Sequence, residues 1–466
     1  GNPYAFLPNE EYLGFSLIAG TAPTDFTGGP VTLGSSGVAV TAESPVTYGF
    51  GLSLFPAINQ TWSFGGASAS FTAPFVSRGT EIGGKVTISS DADIVLASTN
   101  STFGGSFAVT ARSIVVSGSH ALGVGSDASS LTVNYKTSGA KMVFRDVDLA
   151  QDVTLTLGGT ATRTYLSFQG TNNLQGCSFG DSTRGGTYEA GSETVYNGPV
   201  SYVNYNSWLF GRDACVVYKG PVSFGGWAGS RSFATAVAAS ADYGTPKIRF
   251  EAQNTIPADN VYFADFSNVR VETAADHAFP QGWLKTSAYT TLDLCGFDQC
   301  VTRIDGTGTV TSDESAFLEQ APAADVVLTN NLTFAGKAGF RMVGDGTVRL
   351  AGDFSSQGTI AVTRGFVELA TSCANVPVVS VTDQGRLVVA DRNLLNRDVA
   401  LTLGCVGALT VEPNAPLRVG SLSLVDPSTG KTMTYKSGQF SSANTSGFIA
   451  RGTVIVGAQG LVLMVR

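Results

Sequence analysis

Residues 290–310 read TTLDLCGFDQCVTRIDGTGTV. Leu292 and Leu294 alternate with Thr291 and Asp293, the period of a strand with one buried face. Gly296, Phe297 and Asp298 then turn the chain, and Val301 and Ile304 resume an apolar face. Asp305, Gly306, Thr307 and Gly308 make a second turn before a further short strand at 309–311. Short strands joined by tight Gly and Asp corners, with no room for a helix, are what a coil of stacked β rungs needs.

The middle of the chain repeats itself. Tyr196-Asn197-Gly198-Pro199-Val200-Ser201-Tyr202 recurs as Tyr218-Lys219-Gly220-Pro221-Val222-Ser223-Phe224, an offset of 22 residues from 196 to 218. A period in the low twenties is one turn of a parallel β-helix with two or three short strands. Equivalent residues of successive coils then stand roughly 4.8 Å apart, with Gly-Pro at one corner and Tyr or Phe on one face. The fold expected is all-β: a right-handed parallel β-helix, or β-solenoid, running over 46–466. Residues 1–45, with Tyr4, Phe6, Leu7 and Tyr12, are read as an irregular N-terminal cap or assembly segment. The end of a solenoid is an open sheet edge, and such a segment covers it.

Composition agrees. The 466 residues include 56 Gly, only 14% are charged and 43% are hydrophobic. A disordered acidic chain lacks that apolar content. A net charge of −8 speaks against nucleic acid as a partner, since phosphate binding by counterion release needs a basic surface. No run of about 18 apolar residues occurs, so no transmembrane segment is expected. The chain opens Gly1-Asn2-Pro3 rather than with Met, read as a processed start from which an export signal has gone.

The same stretches resemble a family. Leu292, Asp293, Leu294, Gly296, Phe297, Gln299, Val301, Gly306, Gly308 and Val310 fit the autotransporter-associated β-strand repeat of bacteria, with Ile304 at a Leu position. Asn59-Gln60-Thr61-Trp62, Phe103–Val109 with His120–Gly123, Gly344–Leu350 with Gly365–Leu369, and Gly447–Leu463 are similar to further pieces of that repeat. The resemblance implies an exported, passenger-type solenoid at the cell surface or outside the cell. In autotransporters a membrane barrel follows the passenger. Here the closing residues belong to the repeat, so the barrel is expected to be removed or the protein to be free-standing.

Candidate site residues are few. Six cysteines (Cys177, Cys215, Cys295, Cys300, Cys373 and Cys405) in an exported β protein suggest up to three disulfides, with Cys295 and Cys300 flanking one turn as a corner staple. Buried thiols packed as small hydrophobes are the alternative. Asp146 and Asp148 lie two apart on a strand, as do Asp91 and Asp93, so each pair is expected to point to one side. Paired carboxylates separated by about 5 to 9 Å can act on a glycosidic bond; solvated strand faces are the plainer reading. His120 sits at a corner, where a turn role fits best, and His277 is the second of only two histidines. With no His/Cys cluster, neither a metal nor a cofactor is expected. Gly430-Lys431-Thr432 mimics the tail of a phosphate loop, but Val425 stands where the first Gly belongs, and a polar turn explains it better. An aromatic group that includes Tyr202, Tyr205, Trp208 and Trp227 offers glycan contacts if its rings are exposed, and packing inside the coil if they are not.

The function expected is a secreted or cell-surface, non-catalytic scaffold or adhesin. Self-association, end to end or side by side, is the expected partner mode, with fibres as the product, and an environmental or host polysaccharide is a second partner. The alternative is a polysaccharide lyase or glycoside hydrolase, or a glycan-binding module.

Overall fold

A computed structural model describes residues 4–18, 24–41, 46–134, 140–158, 166–180, 185–202, 207–224, 231–236, 244–254, 261–263, 268–279, 282–412 and 416–457. Over these the chain is all-β with no helix, and parallel stacked strands form a β-solenoid of about 16 turns. It divides into two compact units, Gly1–Ala252 and Gln253–Arg466.

In the first unit the described part of the opening segment is strand. Tyr4–Phe6 and Glu11–Ile18 both ladder in parallel onto Thr24–Thr41, which ladders onto Thr47–Pro56. Tyr4 stands over Phe26, Phe26 over Phe50 and Phe50 over Phe71. The Phe50 and Phe71 rings stack at 4.7 Å. Phe6 and Phe15 pack their rings 6.2 and 6.4 Å from Phe26, while Tyr4, Leu7 and Leu13 remain exposed. At the 22-residue repeat each turn has three strands: Gly185–Tyr188, Glu193–Tyr196 and Val200–Tyr202, then Ser207–Phe210, Cys215–Tyr218 and Val222–Phe224. Tyr196 lies in register with Tyr218 and Val200 with Val222, so the sequence period is one turn of coil.

Alternation decides what lies inside. In Gln60–Ser63 and Val86–Ser89 every second residue is buried, as a sheet with one core face requires. The interior aromatics are large and closely packed. Trp62, Trp208, Tyr188, Tyr196, Tyr202 and Tyr218 are all fully buried.

In the second unit the stretch 290–310 forms three short strands, Thr290–Asp293, Gln299–Val301 and Arg303–Asp305, before Thr309–Thr311. Leu292 ladders between Val271 and Val310, and Ile304 pairs with Leu284. The turn predicted at Gly296 is made by Cys295 and Gly296, both at positive φ. Farther on, Met342, Val362, Val381, Leu403 and Leu424 form one buried column. Antiparallel pairing enters where Ser421–Val425 meets Thr432–Tyr435 and Gly438–Phe440 meets Val454–Val456, although Ile449–Arg451 and Val454–Val456 still ladder in parallel onto Leu409–Val411 and Leu417–Val419.

Candidate functional site

Asp146 does not continue the alternation of Lys141–Asp148. A bulge there sets Arg145 opposite Ser117 and Val147 opposite Gly118, and Asp146 falls between with φ of 51°. An extra residue interrupts the two-residue parity at Asp146, and Asp146 and Asp148 are both exposed on either side of buried Val147. Asp146 instead turns the corner: its Oδ1 accepts the Thr171 N–H at 3.0 Å. Asp213, also at positive φ, accepts the Thr245 N–H at 2.9 Å in the same way. In both places the next corner begins at a positive-φ glycine, Gly170 or Gly244, and a Cβ on either would stand 2.0 or 2.1 Å from the aspartate oxygen. Asp146 is therefore a repeated structural corner. Asp93 is paired with Arg112 at 2.7 Å. Asp293, nearly buried, bonds Arg270 and accepts the Cys295 N–H at 3.0 Å.

The aromatic candidates are inside. Tyr188, Tyr196 and Tyr202 come from the three strands of one turn, and their hydroxyls converge: Tyr188 to Tyr196 at 3.0 Å and to Tyr202 at 3.3 Å, and Tyr202 to Tyr218 of the next turn at 2.6 Å. Trp208 packs its ring 4.7 Å from Phe179 and 5.2 Å from Tyr202, over Gly186, where a side chain would collide with the indole. Burial pushes the Tyr188 phenol up to about 12, and raises Tyr196, Tyr202 and Tyr218 well above the usual range. Rings with no accessible face cannot stack on a sugar, so Tyr202 and Trp208 are not glycan contacts in this fold. Tyr205 and Trp227 lie outside the described residues.

The disulfide expectation is also corrected. No disulfide joins any of the six cysteines. Cys295 is an exposed corner residue, whereas Cys300 belongs to a strand of a different sheet, in register with Glu319. Cys177 and Cys373 are buried, and burial pushes the Cys373 thiol up to about 12. Cys405 is also buried and is held by Arg386 and the Gly385 carbonyl, each at 3.3 Å. Cys215 stands in register between Glu193 and Lys247.

His120 turns its corner at φ of 56°, its N–H bonded to the Asp148 carbonyl. His277 has φ of 57° and lies 3.9 Å from Glu319. Gly430 and Lys431 close a hairpin turn in which Ser428 and Thr429 donate to the Asp426 carboxylate, holding it down to about 2. No helix of the described residues is long and apolar enough to cross a membrane.

One feature was not anticipated. An open pocket of about 440 Å³ in the first unit is lined by Ser35, Ser36, Asn59, Thr61, Lys85 and Thr87 among others. It opens onto a sheet face whose outward positions are hydroxyls. One column runs from Thr61 through Thr87, Ala108, Ser130 and Thr154 to Ser178, and continues at Ser201 and Ser223. Beside it Ser63, Ser89, Thr110, Thr132 and Thr156 form a second. The strands carrying these columns contain no charged residue, whereas Lys141–Asp148 and Glu193–Tyr196 carry theirs outward. The signal in the sequence was a hydroxyl–apolar–hydroxyl triplet that recurs at Thr61-Trp62-Ser63, Thr87-Ile88-Ser89, Ser130-Leu131-Thr132 and Thr154-Leu155-Thr156.

Neither a family model, nor a curated protein, nor a solved structure matches this chain.

Proposed function

We propose that this protein is a secreted or cell-surface bacterial scaffold, non-catalytic, with adhesive and self-associating capacity. The observation that carries the reading is that three of the carboxylates considered, Asp146, Asp93 and Asp293, are tied into the coil. Asp146 caps a backbone amide, Asp93 is neutralised by Arg112, and Asp293 is nearly buried against Arg270. A hydrolase or lyase needs such groups turned into a groove and able to exchange protons.

The resemblance of 290–310 to the autotransporter-associated repeat supports export and surface display. Self-association is supported by the open side of strand Glu11–Ile18, which among the described residues ladders on one side only. An unpaired strand edge is a template for another chain. Negative-stain electron microscopy and light scattering over a concentration series test this. Regular assemblies that grow with concentration are expected, and monomers throughout would contradict self-association.

A further inference from the structure

We infer that the pocket at Lys85 and the hydroxyl face that runs from it form a binding site for a neutral polysaccharide chain. The inference rests on the surface-scaffold reading and supplies the class of ligand that such a surface would hold.

The face is chemically unusual for a sheet exterior. Among the described residues the hydroxyls of Thr61, Thr87, Ser130, Thr154, Ser178 and Ser201 have no hydrogen-bond partner within the protein. Each offers one donor and two acceptor positions to whatever lies on the face. Eight rungs at roughly 4.8 Å give a track about 34 Å long, and two columns two residues apart are about 7 Å from one another. A track of that shape accommodates an extended chain carrying hydroxyls at a regular repeat.

Charge selects among occupants. The face itself is uncharged and the protein carries a net −8, so a polyanionic chain is repelled and a neutral one is not. A second copy of the protein is disfavoured by size, because a track of a few hundred Å² falls short of the roughly 800 Å² per partner of a stable interface. The pocket supplies an end to the track. Thr61 and Thr87 belong to both, the Asn59 side-chain carbonyl accepts the Lys85 backbone N–H while its amide donors have no partner among the described residues, and the Lys85 ammonium makes no ion pair among them. Donors of this kind suit the ring and hydroxyl oxygens of a sugar.

Energetics predict how binding scales. A neutral hydrogen bond contributes little net once the water it displaces is counted, so one sugar unit is held weakly and several must be held at once. Affinity should therefore rise steeply with chain length.

The test is calorimetry and insoluble-polymer pulldown with purified protein, using amylose, dextran, laminarin and microcrystalline cellulose, their short oligosaccharides, and alginate as the anionic comparison. At least one neutral polymer should bind, with its disaccharide at least about tenfold weaker. The double variant Ser130→Glu/Thr132→Glu should weaken polymer binding at least about tenfold, because two carboxylates are placed under the chain. Lys85→Ala should weaken it less, and Glu193→Lys, on another face, should leave it unchanged. Native-like circular dichroism checks that the variants fold. Three results would overturn the inference: no binding to any neutral polymer, equal binding by the double variant, or a preference for alginate. Ice-growth inhibition that is lost in the double variant, with no glycan binding, would assign the face to ordered water instead. Because the assay uses isolated protein, its failure leaves the question of surface display untouched.

Discussion

The carboxylate of Asp146 accepts the backbone N–H of Thr171 at 3.0 Å, one coil farther along the chain. Asp213 and Thr245 repeat the relationship. A charged acceptor held at a left-handed corner joins two turns through a backbone group that would otherwise need water. What reads in the sequence as half of an acid pair is a fastening between rungs.

Removing it should cost stability. Asp146→Ala is expected to lose on the order of 1 kcal/mol, and Asp213→Ala a similar amount, while Asp148→Ala stays within about 0.5 kcal/mol. Gly170→Ala should cost about 1–3 kcal/mol, because its positive φ and the 2.0 Å approach of the Asp146 oxygen both resist a Cβ. Denaturant unfolding of the four variants measures these differences. Equal losses for Asp146 and Asp148 would contradict the corner role.

The tyrosine cluster predicts an alkaline transition. A phenol near 10 in the unfolded chain is pushed up to about 12 at Tyr188 in the folded one. The folded state holds its proton more tightly, so this contribution is complete below about pH 10 and is lost as pH rises toward 12. Ionisation of the buried phenols, followed by ultraviolet absorbance, should coincide with loss of near-ultraviolet dichroism. Tyr202→Phe, which removes the 2.6 Å bond to Tyr218, should lower stability by about 1–2 kcal/mol.

Trp208→Ala should behave as a core deletion, losing about 3–5 kcal/mol. Glycan binding measured below the unfolding temperature should be unchanged. A folded Trp208→Ala protein of wild-type stability would show that the ring is not interior.

Thiol chemistry distinguishes the cysteines without mutation. At neutral pH Cys295 should react with an aromatic disulfide reagent in the native protein, since it is exposed. Cys177 and Cys373 should react only after denaturation, as burial both shields them and raises their thiols. Intact-mass spectra should not change on reduction. A loss of reactive thiols in the unreduced, unfolded protein would restore the disulfide reading.

Much of the fold was legible because a solenoid is locally periodic. Leu292 and Leu294 announced their buried face by alternation, and the recurrence of Tyr196 at Tyr218 gave the length of a turn. Periodicity fixes spacing but not which alternating set faces inward, and an aromatic ladder reads the same from either side. Tyr202 and Trp208 were placed by packing, Trp208 in part by the space over Gly186. The corner role of Asp146 was not legible because parity presumes an unbroken strand, and a bulge leaves little trace in composition. The hydroxyl face was present in the triplets at Thr61 and Thr87, but only the parallel register shows that they stack.

Surface display is the claim on which the functional account turns, and labelling of intact producing cells with a membrane-impermeant amine reagent tests it most directly. Lys431 sits in an exposed hairpin turn and reports on access. Modified Lys431 from intact cells, or from their extracellular matrix, with cytosolic proteins unmodified, is the predicted result. Modification of Lys431 only after lysis would contradict it.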